Sequence, residues 1–129
     1  MKISEIETRY KNITKGTFKD LRTFNFKGVY IICDNQEIVY VGSAYTRFIS
    51  TRLKQYLSKT NTGNTLGKNI AKELANVKKY TKSAEEQLEN AIEKIKNFNI
   101  YAIKSDDLEY ELIEKTSPRY NSRGKNTKN

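Results

Sequence analysis

Two short runs, GVYIIC at 28–33 and EIVYVG at 37–42, constrain this chain more than any other stretch. Both are dense in β-branched and aromatic residues, each has a glycine at its outer end, and the turn formers Asp34, Asn35 and Gln36 separate them. The pattern predicts the two antiparallel strands of a hairpin. Each strand carries a tyrosine, Tyr30 or Tyr40. Side chains alternate across a strand, so the two phenols share a face only in an even register. A three-residue loop at 34–36 sets Cys33 opposite Glu37 and Tyr30 opposite Tyr40. A two-residue loop sends the phenols to opposite faces unless a bulge restores the register. We expect the even register.

Around this hairpin the chain reads as a single domain with a modest core. Residues 1–26 form a helical or irregular extension that packs on the core: Ile3, Ile6 and Tyr10 lie at helical spacing, with Phe18, Leu21, Phe24 and Phe26 behind them. An amphipathic helix is expected over 47–57, a polar loop over 60–69 and a short helix over 69–79. Ser83, with Glu86 three residues on, predicts a capped helix running to Lys96. NIYAIK (99–104) is a third strand. Ser105 or Asp106 opens a last helix that Pro118 ends, and residues 122–129 form a flexible basic tail. The fold class is therefore α+β: a small three-stranded, mostly antiparallel sheet flanked by helices in the order β-β-α-α-β-α.

Charge narrows the partner. The chain carries 24 Lys and Arg against 15 Asp and Glu, a formal net charge of +9. From Arg52 to Lys82 there are eight basic residues and one acid, Glu73; from Ser83 to Glu114 there are nine acids and three lysines. That segregation suits a directional surface for a polyanion, with DNA as the expected partner and Lys27, Arg47, Lys54, Lys59, Lys68, Lys72 and Arg119 as candidate contacts. Solvated helix faces explain the same charges without a ligand. No apolar run approaches a membrane span and no signal-peptide core opens the sequence, so an intracellular location is expected. The lone Cys33 reads as a buried, inert thiol. There is no histidine. Cys-His and Ser-His-Asp catalysis and His-ligated zinc are excluded, leaving Tyr, Arg, Lys, Asp, Glu or a hydroxyl for any chemistry.

Gly28-Val29-Tyr30 and Tyr40-Val41-Gly42, together with LEYELIEKTSPRYN at 108–121, resemble the signature segments of the GIY-YIG nucleases. The likeness covers 27–121, which it implies is the nuclease domain. Glu109 and Asn121 stand at the spacing of the excision-repair members. Gly42-Ser43-Ala44 is closer to the phage intron-encoded homing members. The helix arginine of the family is most simply Arg52, slightly further along than the family spacing, with Arg47 as the competing candidate. The resemblance implies Tyr30 as base or water-orienter and Tyr40 as its partner. It likewise implies Arg52 as phosphate stabiliser and Glu109 as ligand of one Mg²⁺ or Mn²⁺ ion.

The chemistry of these residue types agrees with that reading. A free tyrosine has a pKa near 10, so about one molecule in a thousand is ionised at pH 7, and a nearby cation is needed to change that. Arginine grips phosphate through two parallel bonds. One carboxylate holds Mg²⁺ when water and a phosphate complete the octahedron. Plainer roles exist for each residue. Tyr30 and Tyr40 could be a packing pair across the strands, Arg52 a surface cation, and Glu109 the reciprocal member of a capping box begun by Asp106. Gly28 and Gly42 allow close backbone approach at strand ends, Ser43 forms a turn or binds phosphate, and Asn121 ties the post-proline segment to the sheet. Tyr45 and Tyr56 stack on bases or pack, with packing preferred for Tyr56.

The expected function is a metal-dependent DNA endonuclease of low or local sequence specificity, in phage or mobile-element biology. The alternatives are a restriction-type sequence-specific endonuclease using the room at 59–82, a non-catalytic nucleic-acid-binding module on the same scaffold, or a basic structural protein. Monomer and homodimer stay open.

Overall fold

The computed structural model describes residues 2–105 and 108–121. The expectations placed on Asp106 and on the 122–129 tail lie outside them.

The hairpin forms as β2 (Gly28–Asp34) and β3 (Glu37–Ala44), but not in the way the turn suggested. Asp34 pairs with Glu37, which leaves a two-residue turn, Asn35-Gln36, with Asn35 in the left-handed region at φ 57°. Asparagine tolerates that conformation because its short side chain can bond locally. The two-residue turn alone would separate the phenols. A bulge between Ile32 and Cys33 corrects this: Cys33 faces Ile38 while Ile32 faces Tyr40, so Val39 is the extra residue. Tyr30 consequently faces Gly42 rather than Tyr40, yet both tyrosines end on one face.

The sheet has four strands rather than three. β4 (Asn99–Ile103) pairs antiparallel with β2 on the side away from β3. Its other edge takes β1 (Thr14–Thr17), again antiparallel, giving the order β1-β4-β2-β3. The segment before residue 27 thus supplies a strand of the sheet as well as the helix α1 (Ile3–Arg9) and a 3₁₀ turn at Leu21–Phe24.

Helices cover both faces. On the face of Tyr30, Ile32 and Tyr40 lie α2 (Ile49–Gln55), α3 (Thr65–Ala75) and α5 (Leu88–Ile95), which bury Leu53, Ile70, Ile92 and their neighbours. The opposite face, built by Val29, Ile31, Cys33 and Val41, packs against Ile3 and Ile6 of α1 and Leu112 and Ile113 of α6 (Glu109–Thr116). Each fully buried Leu or Ile in these layers stabilises the fold by about 1.5–3 kcal/mol.

Helix boundaries moved for local reasons. α3 begins at Thr65, well inside the expected 60–69 loop, because the buried Asn64 caps it: its Oδ1 accepts from Gly67 N at 2.9 Å while its Nδ2 donates to Tyr56 O and Ser58 O. The expected helix from Ser83 is two pieces, a short α4 (Lys82–Glu86) that begins after Thr81, with Ser83 inside it, and then α5, with Gln87 between them. α6 starts at Glu109 and ends in Ser117 at φ 46°, just before Pro118. Glu109 is therefore the first residue of its helix, not the third, and does not occupy the reciprocal position of a capping box. Among the described residues no helix is long and apolar enough to cross a membrane.

Candidate active site

Strand alternation builds the site's floor. Tyr30 on β2 projects across its partner Gly42, and a Cβ at Gly42 would collide with the Tyr30 ring and hydroxyl. Glycine is required there by close approach. Gly28 is required for another reason: it sits at φ 152°, and a Cβ would strike the carbonyl oxygen of Ile103 on the neighbouring strand.

The Tyr30 hydroxyl is 2.5 Å from the hydroxyl of Tyr56, the residue that closes α2. Tyr56 is completely buried, and Tyr40 meets it edge-on at 5.5 Å between ring centroids. Three phenols from β2, β3 and the end of α2 thus share one cluster. Tyr30's hydroxyl partner is Tyr56 where the resemblance implied Tyr40. Helical periodicity places Tyr56 in the core, but periodicity does not reveal that its hydroxyl meets a phenol from the sheet.

Arg52, one turn back on α2, lays its guanidinium over the Tyr56 ring at 5.5 Å and bonds to Gln55 Oε1 through Nη1. Its partial burial works against the charge, but the Tyr56 and Tyr30 phenols outweigh it and hold the guanidinium more firmly protonated than usual. The phenols move the other way. Burial above all, then the neighbouring Tyr40, raises Tyr30 far above the ordinary tyrosine range despite the opposing pull of Tyr56 and Arg52. Tyr56 is raised for the same first reason, reinforced by Tyr30 and Tyr40. Both are neutral at pH 7.

Arg52 also lines an open surface hollow of about 440 Å³ together with Ser43, Arg47 and Gln55. The two candidate arginines therefore face one hollow, Arg47 from its exposed rim and Arg52 from its base against the phenols. Ser43 lies on this wall and donates from Oγ to Glu109 Oε1 at 2.6 Å. Alternation puts Ser43 on the Val41 side of β3, so Glu109, the first residue of α6, meets it from the α6 layer. The phenols belong to the other layer.

Asn121 fixes this edge. Its Oδ1 accepts from Val41 N at 2.8 Å and its Nδ2 donates to Val41 O at 2.9 Å, while Tyr120 N donates to Val39 O at 2.9 Å. The post-proline segment so occupies the outer edge of β3 and holds α6, with Glu109, against the strand that carries Tyr40 and Ser43.

The candidate phosphate contacts are dispersed. Arg119 is engaged by Glu73 at 3.1 Å and by Glu37 at 3.7 Å, and Lys59 by Glu89 at 3.4 Å. Lys68 lies over the Tyr80 ring and Lys72 lines a separate hollow near Tyr120. Lys27 is exposed beside Gly28, and Lys54 is exposed on α2. Only Arg47 joins Arg52 at the hollow that Ser43 lines.

A hard divalent cation suits oxygen donors, and Glu109 with the Ser43 hydroxyl beside it supplies two. Among the described residues no three His, Cys, Asp or Glu side chains gather as a fuller metal cage. Comparison of the chain with protein-family models, with curated proteins and with solved structures finds no match.

Proposed function

We propose that the chain is a metal-dependent phosphodiesterase acting on nucleic acid. More particularly, we read it as a GIY-YIG-type DNA endonuclease of low or local sequence specificity. One observation carries the reading: Arg52 rests on a buried pair of bonded phenols and lines the same hollow as Ser43, which holds Glu109.

In this reading Arg52 grips the phosphoryl oxygens through its planar fork and neutralises charge that builds there in the transition state. Its contact with Tyr56 pre-orients the fork. Of the two hydroxyl protons of Tyr30 and Tyr56, one lies in the bond between them and the other remains for a third group. The pair, kept neutral by burial, braces Arg52 and is not a ready-made base. Glu109 and Ser43 would hold one Mg²⁺ or Mn²⁺, which when bound supplies positive charge near the scissile phosphate and a more acidic water. The restriction-type alternative has less room than the sequence offered, because much of 59–82 folds into α3 and buries Leu66, Ile70 and Ala71.

A second reading has its own support. The Glu109 carboxylate is already bonded to Ser43 and belongs to the layer opposite the phenols, as suits a scaffold that binds nucleic acid without cutting it.

Nicking of supercoiled plasmid separates the two. The nuclease reading expects relaxed circles with Mg²⁺ or Mn²⁺ and none with chelator, and it expects Glu109→Ala to bind DNA as wild type does while cutting nothing. Undiminished cutting by Glu109→Ala would remove that residue from the site. Salt-sensitive binding by a wild-type protein that never cuts would hand the case to the binding module.

A further inference from the structure

Four residues, Tyr45-Thr46-Arg47-Phe48, connect β3 to α2, and all four are exposed. Tyr45 is 39% and Phe48 46% accessible, so this connector holds two of the four large hydrophobic side chains exposed among the described residues. Burial gives no reason to place two rings there, and an aromatic–basic–aromatic stretch is what a strand of nucleic acid recognises.

Tyr45 has a particular position. It lines the arginine hollow with Arg47 and Arg52, and it also lines a second hollow with Lys27 and Lys104. Lys104 lies over the Phe26 ring at 5.2 Å, which fixes its ammonium at that rim. The tyrosine is thus the shared wall between two cationic depressions. A phosphate backbone running from one to the other must pass over it, and the base at that step meets an aromatic ring. In a duplex that base is already stacked and paired, so its face is closed to the ring. An unpaired base can stack on it.

We propose that Tyr45 is a stacking platform for an unpaired DNA base, with the strand's phosphates held by Lys27 and Lys104 on one side and by Arg47 and Arg52 on the other. The inference rests on the nucleic-acid reading above and narrows its substrate to DNA that carries a single-stranded stretch at the hollow.

Fluorescence anisotropy with labelled oligothymidylate and with a blunt duplex of equal length, in chelator at one fixed low salt concentration, tests it. Wild-type protein should prefer oligothymidylate. Tyr45→Ala should weaken oligothymidylate binding about tenfold and duplex binding less than about twofold, while Tyr45→Phe retains wild-type affinity for both. Lys104→Ala should weaken both alike, as loss of a phosphate contact does. Equal losses on the two DNAs for Tyr45→Ala, an unchanged oligothymidylate affinity, or a Tyr45→Phe variant as weak as Tyr45→Ala would each overturn the platform. The parent reading fails separately. A protein that prefers the unpaired strand but, with Mg²⁺ or Mn²⁺, cuts neither plasmid nor single-stranded DNA keeps the platform and loses the nuclease. One that nicks plasmid with no preference between the two probes does the reverse.

Discussion

The two faces of the β2–β3 hairpin are made from alternate residues of the same short segment, and they differ in kind. Val29, Ile31, Cys33 and Val41 give one face an aliphatic surface that α1 and α6 cover. Tyr30 and Tyr40 give the other face two phenols, to which α2 adds a third and a guanidinium. A buried hydroxyl needs a partner and a buried isoleucine does not, so the second face must hold its phenols in a fixed hydrogen-bonded arrangement. Both faces hold the fold together, and the phenol face in addition stores a hydrogen bond beside an open hollow.

That contrast can be broken most directly by one substitution on each face. Arg52→Ala should lower the cleavage rate by about 100- to 1,000-fold, the usual cost of removing one group that stabilises transition-state charge, with little change in melting temperature. Ile31→Ala should do the opposite: lose about 3 kcal/mol of stability in denaturant titration while cleavage per folded molecule stays near wild type. If both variants lost activity and stability together, the division of labour between faces would be wrong.

A smaller effect sharpens the comparison at the edge where the layers meet. Asn121→Ala removes two bonds to the buried backbone of Val41 and should cost about 2 kcal/mol, measured by urea unfolding. Because α6 is then less firmly held, cleavage should fall by more than the loss of folded protein explains. A variant as stable as wild type would show that the side chain is not what closes this edge.

The smallest effect is a pH dependence that the two bonded phenols strengthen. Tyr30 and Tyr56 titrate above the unfolded value of about 10, so below that pH both states are protonated and nothing is gained or lost. As pH rises past 10 the unfolded chain releases protons that the native state keeps. Stability should therefore fall by about 1.4 kcal/mol per pH unit for each phenol. Cys33 adds to the same trend from a lower pH, since burial foremost, and then Glu7, pushes its thiol up to about 12. Tyr30→Phe should flatten the alkaline slope seen in urea titrations. An unchanged slope would mean that the phenol ionises as freely in the native protein as in the unfolded one.

How far the sequence disclosed this molecule depends on whether a residue's role is local. β2, β3 and β4 announce themselves through β-branched and aromatic density, and α2 through its apolar spacing. β1 does not: Thr14-Lys15-Gly16-Thr17 has no apolar alternation, because an edge strand needs only backbone groups to join a sheet. The bulge at Val39 leaves no mark in composition either, yet it decides that Tyr30 and Tyr40 share a face. The same limit governs the site. Tyr30, Tyr40, Ser43, Glu109 and Asn121 stand out in the motif segments and Arg52 lies between them with Arg47 as its competitor, whereas Tyr56 and Gln55 matter only through partners brought by the fold. Glu109's bond to Ser43 is a contact between residues 66 positions apart, beyond the reach of any local pattern.

The segment after Pro118 has one more consequence. Strand β3 ends the sheet, and a bare terminal strand offers its amides and carbonyls to any other chain. Here Tyr120 and Asn121 occupy those groups from the same molecule. Strand addition across Val39 and Val41 is thereby blocked, and a chain shortened before residue 118 would expose these groups as a template for aggregation.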